Sequence, residues 1–262
     1  MGIKMNNAPV YFTMAQVQFN PILNLENYLP SIQSKMREIH FPDYSREVVQ
    51  EMTFPFAATT GIQIAPSVTN QARFRFGDID GWQSFLLTQN QLSFQTTRYD
   101  TFETFLNCIA SGLTILNEIM KLDFVERLGL RYLDAVQPNA NESLAAYLAP
   151  EVLGLSQKTS GQLAHSISET FTQTKVGYLM ARIVIRNGQL GLPIELATQK
   201  IKLNPKFLTQ NEQHAIIDTD AFLEQRQAFN VTQIEADLTS LHDEIKSAFT
   251  TTVTDHAQTI WA

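Results

Sequence analysis

The fold is decided by three nearby segments: RFRF (73–76), LLTQNQLSFQTTRYDTFETFLNCIASGLTILNEIMKL (86–122) and RLGLRYLD (127–134). In the first and third, apolar and polar residues alternate, which is the period of a strand with one buried face. The second completes a hairpin, Trp82–Thr88 with Gln91–Thr97, whose first strand begins just before it. It continues into a helical stripe formed by Phe102, Leu106, Ile109, Leu113, Leu116 and Met120. We expect Asp100 to cap this helix, with Glu103 as its capping-box partner.

The rest of the chain shows the same alternation between strand-like and helix-like hydrophobic periods. Val10–Phe19 predicts a strand with a bulge or a twist near Ala15, and Leu25–Ile39 predicts a helix. Asn230 is expected to cap a second long helix, whose stripe is Ile234, Leu238, Leu241, Ile245 and Phe249. Further strands are predicted at Ser45–Phe56, Ser166–Thr174, Tyr178–Arg186, Leu196–Leu203 and His214–Phe222.

These elements predict an α+β protein made of two similar halves, each an antiparallel sheet packed by a long amphipathic helix. The linker Pro138-Asn139-Ala140-Asn141 separates an N-terminal half, residues 1–138, from a C-terminal half, residues 142–262. One continuous domain is the alternative, because 262 residues fit either arrangement.

Composition favours a globular protein with a polar but thinly charged surface. Charged residues make up 17% of the chain and hydrophobic ones 44%, and the net charge is −7. A negative chain has no general attraction for nucleic acid or anionic membranes, so binding of nucleic acid would need a local basic patch.

Cysteine use and hydropathy predict a cytoplasmic protein with no membrane association. Cys108 is the only cysteine and so has no partner for an intramolecular disulfide. The sequence MGIKMNNAPVYF lacks the pattern of a signal peptide, and no apolar run approaches about 18 residues.

No familiar catalytic or cofactor motif occurs in the sequence, so catalytic residues stay unassigned and neither a metal nor a cofactor is predicted. The five histidines lack metal-ligand spacing, and there is no nucleophile elbow, Walker loop or dinucleotide fingerprint. The carboxylates of Asp78, Asp80, Asp218 and Asp220 are candidates for Mg²⁺, against the favoured interpretation that they are turn-forming aspartates. An enzymatic role is therefore open, with a non-enzymatic one favoured.

The arginines form the most informative charged set. Seven of the ten lie in predicted strands. The candidates for an anion-binding face are Arg73, Arg75, Arg98, Arg127 and Arg131, with Arg182 and Arg186 as further strand arginines. The competing interpretation, which we favour, is cross-strand pairing with Glu47, Glu51, Glu126, Asp134 and Glu169.

Four ordered motifs resemble a sporadically distributed bacterial family of about 250-residue proteins without an assigned activity. They are NAPV (7–10) with FNPI (19–22), LSFQTTRYDTFETF (92–105), RLGLRYLD (127–134) and LHDEIKSAFTTTVTD (241–255). The resemblance covers nearly the whole chain. It implies a bacterial cytoplasmic protein, with mobile or antiviral defence genes as one setting, and it supplies no catalytic residues.

Two functional hypotheses follow. The first is a non-enzymatic binding or interaction protein, such as a defence or toxin-antitoxin component, that contacts a protein partner through sheet edges and apolar helices. The second is a nucleic-acid or nucleotide-binding protein that uses the arginine face, with metal-dependent nuclease activity as an extension. A homodimer is also expected, from the exposed strands and from Phe249, Ile260 and Trp261 near the C-terminus.

Overall fold

A computed structural model describes residues 7–53, 67–197 and 199–262. The strands in these ranges are Val10–Phe19 (β1), Asp43–Thr53 (β2), Ser67–Gly77 (β3), Gln83–Thr88 (β4), Gln91–Thr96 (β5), Phe124–Val136 (β6), His165–Gln173 (β7), Tyr178–Asn187 (β8) and Gln213–Ala228 (β9). The α-helices there are Leu29–Glu38 (α1), Phe102–Met120 (α2), Leu144–Tyr147 (α3), Pro150–Leu153 (α4), Val231–Thr252 (α5) and Asp255–Trp261 (α6). Short 3₁₀ turns cover Leu25–Asn27, Ile194–Leu196 and Pro205–Phe207.

All nine of the described strands belong to one sheet, in the order β2-β3-β4-β5-β1-β6-β9-β8-β7, and each neighbouring pair is antiparallel. The predicted α+β class with antiparallel strands is confirmed, and the described strands form one large sheet. The sheet continues across the linker at residues 138–141, because β6 before the linker pairs with β9 after it.

One face of the sheet, which we call the helix-covered face, carries the main core. Strand residues such as Val17, Phe94 and Leu128 pack there against the stripes of α1, α2 and α5. A second core cluster on the same face joins Val136 and Ile217 to α3, α4 and α6. The helices of the described chain thus lie on one side of the sheet, as their amphipathic stripes require.

The opposite face, which we call the polar face, carries Gln16, Gln95, Arg131 and Asp218 among others. Part of it is covered by the segment 188–208, whose apolar side chains pack on strand β1. The residues in this contact are Leu190, Leu196 and Phe207 from the segment and Tyr11 and Phe12 from the strand. This packing explains why the predicted strand Leu196–Leu203 is wrong: the described apolar residues of this range cover the sheet as an irregular segment and do not extend it.

Two predictions in the N-terminal half of the chain need correction. The cap of α2 is Thr101 and not Asp100, because Oγ1 of Thr101 accepts a hydrogen bond from the Thr104 amide at 3.2 Å. The bulge of β1 lies at Tyr11 and not at Ala15, since the register with β6 shifts between the residues on either side of Tyr11.

One residue proposed for the homodimer surface lies in the core. Trp261 is only 5% exposed and packs with α3 and α4 in the second core cluster. It therefore offers no surface to a second copy of the chain, and the homodimer itself stays a prediction.

The cap of α5 is confirmed, and so is the strand predicted at RLGLRYLD (127–134), which lies within β6. The Asn230 side chain accepts a hydrogen bond from the Gln233 amide at 3.1 Å. The part of the predicted strand Ser45–Phe56 beyond Thr53 lies outside the described residues. In the described ranges no helix has the length and hydropathy that crossing a membrane requires.

Replacement of Gly112 by alanine tests the packing of α2 on the sheet. An added Cβ would lie 2.5 Å from Cε1 of the buried Phe85 and 3.1 Å from Cδ2 of Leu92. Overpacking of this kind costs about 1–3 kcal/mol, while the gain in helix propensity is at most about 1 kcal/mol. We expect Gly112→Ala to lower the free energy of unfolding in urea by about 1–2 kcal/mol. The exposed neighbour Ser111→Ala serves as control, and a stabilised Gly112→Ala protein would contradict the packing described.

Candidate functional site

The candidate arginines of β3 lie on the polar face beside carboxylates of β2. Arg73 donates from Nε and Nη2 to Oε2 of Glu47, at 3.1 and 2.7 Å, and Lys200 lies 3.2 Å from the other oxygen of the same carboxylate. Arg75 is buried and donates from Nη1 to Asp43 Oδ2 at 2.6 Å. The predicted partner Glu47 is therefore confirmed.

A bidentate ion pair joins β6 to β9. Arg131 donates from Nε and Nη2 to the two oxygens of Asp218, each at 2.7 Å, and from Nη2 to Glu195 at 2.7 Å. Burial opposes the charge of Arg131, but its hydrogen bonds to Asp218 outweigh that effect and raise its pKa. The positive charge of Arg131 is therefore compensated by the carboxylates of Asp218 and Glu195.

Two other strand arginines also have polar neighbours. Arg127 donates to Gln16 Oε1 at 2.8 Å and lies 3.6 Å from Glu224. Arg182 donates to the predicted partner Glu169 at 2.6 Å.

The two remaining glutamates that we expected to pair with arginines are placed differently. Glu126 pairs with Arg226, which lies outside the predicted arginine face. The side chain of Glu51 lies outside the described part of the chain.

Sheet geometry keeps the candidate arginines apart. Strand parity predicts that Arg73 and Arg75 share a face and that Arg127 and Arg131 share a face, and the strand pairing places both pairs on the polar face. However, β4, β5 and β1 separate β3 from β6, which amounts to about 19 Å at the usual strand spacing. Arg98 lies beyond the end of β5, with its guanidinium 4.1 Å from the centre of the Trp82 ring. The five arginines thus form separate groups.

The aspartate candidates for Mg²⁺ are placed in two different ways. Oδ1 of Asp78 accepts hydrogen bonds from the amides of Trp82 and Gln83 at 2.8 and 3.0 Å, which is the turn role. Asp218 pairs with Arg131. Within the described residues, no group of three or more His, Cys, Asp or Glu side chains is placed to hold a metal ion.

The helix-covered face contains a cavity of about 470 Å³ next to the N-terminus of α2 and the middle of α5. The described residues that line it are Ala8, Pro9, Val10, Tyr99, Asp100, Thr101, Phe102, Glu103, Tyr132, Asp134, Thr239, His242, Asp243, Ile245, Lys246 and Phe249. This volume is typical of sites for small ligands. We call it the Asp134 cavity.

Asp134 is the unusual residue of the cavity. Its side chain is on the helix-covered face, by the parity of Leu128, Leu130 and Tyr132, and only 6% of the residue is exposed. None of the described residues makes an ion pair or a hydrogen bond with its carboxyl group. Burial alone raises the pKa of this carboxyl to about 7, so that it exchanges a proton at neutral pH.

Two tyrosines provide hydroxyl groups beside this carboxyl. Tyr132 donates to the hydroxyl oxygen of Tyr99 at 3.1 Å. Burial raises the pKa of Tyr99 to about 12 and that of Tyr132 well above its ordinary value, so both are neutral at physiological pH. On the neighbouring strands, Thr13 and Thr219 flank Tyr132, and each has a buried hydroxyl that finds no hydrogen-bond partner among the described residues. A polar stripe therefore crosses the helix-covered face.

His242 and Phe102 form an aromatic wall. The rings stack with centroids 4.0 Å apart and planes inclined by 11°, which ties α5 to the first residue of α2. Burial lowers the pKa of His242, so its ring is neutral at pH 7. The cavity thus combines apolar surface with hydroxyl, imidazole and carboxyl groups.

The bulge at Tyr11 lies at the edge of the cavity. It interrupts the pairing of β1 with β6 opposite Asp134, and the Pro9 carbonyl accepts from the Ala135 amide at 2.9 Å. Bulges commonly occur beside binding sites, where they redirect side chains. Here the Tyr11 hydroxyl is directed to the polar face, where it donates to the Gly191 carbonyl at 3.1 Å.

The sequence motifs converge on this cavity. Every described lining residue except Thr239 belongs to NAPV (7–10), LSFQTTRYDTFETF (92–105), RLGLRYLD (127–134) or LHDEIKSAFTTTVTD (241–255). Sequence reasoning placed Asp134 among the partners of the arginines and missed the cavity. The sequence did contain a signal for the cavity: strand alternation places the Asp134 carboxyl on the face of β6 that carries the apolar side chains.

No model of a known protein family matches the chain, and no curated protein matches it either. The resemblance to the bacterial family stays a prediction.

Proposed function

We propose that this protein is a non-enzymatic binding protein that holds a small molecule in the Asp134 cavity. The observation that carries this proposal is a buried carboxyl without a partner among the described residues, at a cavity of about 470 Å³. A buried polar group without a partner is costly, and proteins keep such groups mainly where they serve a ligand or a reaction.

The nature of the lining also supports a ligand site. Phe102 and Phe249 offer apolar surface at the cavity. Tyr99, Tyr132 and His242 add a few convergent polar groups, which fix the orientation of ligands in such cavities. The bacterial cytoplasmic setting is part of this proposal, and the predicted protein partner and homodimer stay predictions.

We further propose that the cavity lies where two similar halves of the chain meet. Strand β1 lies beside β5 as β6 lies beside β9, and β5 and β9 each lead into a long helix, α2 and α5. In this repeat the second half would begin with β6, at Phe124, and not at the linker 138–141. The cavity is lined by residues of both α2 and α5.

A blocking substitution tests the proposed function. Thr239 is exposed on α5 and lines the cavity, so Thr239→Trp should fill its entrance without disturbing the core. We expect members of a fragment library to shift the amide resonances of residues 99–103 in the wild-type protein and to lose this effect in Thr239→Trp. The measurement is a series of ¹H–¹⁵N NMR titrations.

The matched control is Thr232→Trp, which changes another exposed threonine of α5 outside the cavity lining. It should bind the same fragments as the wild-type protein. Equal binding by Thr239→Trp, or no fragment that perturbs residues 99–103 in the wild-type protein, would contradict a ligand site in the cavity.

A further inference from the structure

The Asp134 carboxyl faces a cavity in which no described residue gives it a positive partner. The nearest arginine along β6, Arg131, lies on the polar face and is engaged by Asp218. A buried carboxylate is strongly disfavoured unless a cation and hydrogen bonds compensate its charge. The missing partner must therefore come from outside the described chain, or the group must hold a proton.

We propose that the ligand of the Asp134 cavity presents a cationic nitrogen, such as a protonated amine or an amidinium, to the Asp134 carboxylate while its apolar part lies against the aromatic wall. This inference rests on the proposed function and names the chemical class of the ligand. A cation compensates the carboxylate charge and donates hydrogen bonds to it, which are the stronger kind of hydrogen bond.

The charges around the cavity favour the same class. The described lining residues include the carboxylates of Glu103 and Asp243 besides Asp134, against a single lysine, Lys246. A cavity in which one sign of charge predominates concentrates ligands of the opposite sign. The cavity therefore attracts cations.

One feature favours anions, and it is weaker. The N-terminus of α2 lies at the cavity, and helix N-termini attract negative groups. However, Glu103 already occupies the first turn of α2, and the Thr101 side chain accepts from the Thr104 amide. An anionic ligand would also have to approach Asp134, which has no compensating charge among the described residues.

The aromatic side chains suit a cation attached to an apolar body. The rings of Tyr99 and Tyr132 meet edge to face, with centroids 5.3 Å apart, and the His242 centroid lies 6.0 Å from that of Tyr132. Ring faces attract cations, and aromatic walls bind flat apolar groups.

Three probes of similar shape and different charge test the proposal at pH 8: 2-phenylethylamine, 2-phenylethanol and 3-phenylpropanoate. Charged hydrogen bonds predict that the amine binds the wild-type protein about ten- to a hundredfold more tightly than the alcohol. Asp134→Asn should remove this preference and leave binding of the alcohol within about twofold, which also shows that the cavity is intact. NMR titration supplies the dissociation constants.

The control is Asp80→Asn, which removes the same charge at an exposed turn outside the cavity lining. It should keep the preference for the amine. Binding of the alcohol or the propanoate as tight as that of the amine, or an unchanged preference in Asp134→Asn, would overturn the cationic ligand. Failure of the amine to bind while other fragments enter the cavity would overturn it too, and would leave the proposed function standing.

Discussion

Replacement of Arg131 by methionine is expected to lower the free energy of unfolding by about 3–5 kcal/mol. Arg131 is 11% exposed and its partner Asp218 only 2%, and two hydrogen bonds of 2.7 Å join them. Methionine removes the charge and leaves the Asp218 carboxylate buried, with Arg182 at 3.8 Å as its remaining cation in the described part of the chain. The loss comes mainly from this poorly compensated charge. Urea denaturation measures it.

Two further variants separate this explanation from a general effect of losing an arginine. Arg226→Met breaks a pair with Glu126 in which Arg226 is 67% exposed, and it should cost less than about 1 kcal/mol. The double variant Arg131→Met with Asp218→Leu should recover most of the loss, because it removes both buried charges. A double variant as unstable as Arg131→Met would show that packing, and not charge, explains the loss.

Asp134→Asn is expected to stabilise the protein at alkaline pH. The pKa of Asp134 is raised to about 7 by burial, whereas an unfolded aspartate has a pKa of about 4. Between these values the unfolded chain releases a proton that the folded protein keeps, so the wild-type free energy of unfolding falls as pH rises from about 4 to 7. At pH 8 the ionised Asp134 carboxylate lowers the free energy of unfolding by about 4 kcal/mol, and the neutral asparagine side chain removes this penalty.

The other titratable groups of the cavity are present in both proteins, so their own titration largely cancels from the stability difference. They are Tyr132 on β6, Tyr99 and Asp100 before α2, Glu103 on α2, and His242, Asp243 and Lys246 on α5. We expect the stability difference between Asp134→Asn and the wild-type protein to be close to zero near pH 4 and to grow up to pH 7. Urea denaturation at a series of pH values measures this difference. The exposed control Asp80→Asn should show no such growth, and a flat difference for Asp134→Asn would contradict the buried carboxyl.

The elements of the fold follow from local sequence patterns. The helices α2 and α5 and the strand β6 were predicted because their apolar periods are long and regular. The predicted strand Leu196–Leu203 failed because the apolar residues there pack on Tyr11 and Phe12 across the chain. A hydrophobic pattern shows that a segment is buried, but the partner against which it is buried is a property of the whole fold.

The cavity is harder to predict from the sequence than the helices and strands are. It joins residues 8–10, 99–103, 132–134 and 239–249, and only the strand order places these segments together. The parity of Asp134 in β6 was visible in the sequence, but the absence of a partner among the described residues was not. Likewise, parity correctly paired Arg73 with Arg75 and Arg127 with Arg131, but it could not show that three strands between β3 and β6 separate the two pairs.

The ligand role of the buried carboxyl is tested most directly by NMR titration of the ¹³C carboxyl resonance of Asp134, with and without saturating 2-phenylethylamine. We expect a pKa of about 7 for the free protein and a clearly lower pKa in the presence of the amine, because a bound cation favours the carboxylate. A pKa near 4 in the free protein, or a pKa that the bound amine leaves unchanged, would contradict a cation-binding carboxyl in the Asp134 cavity.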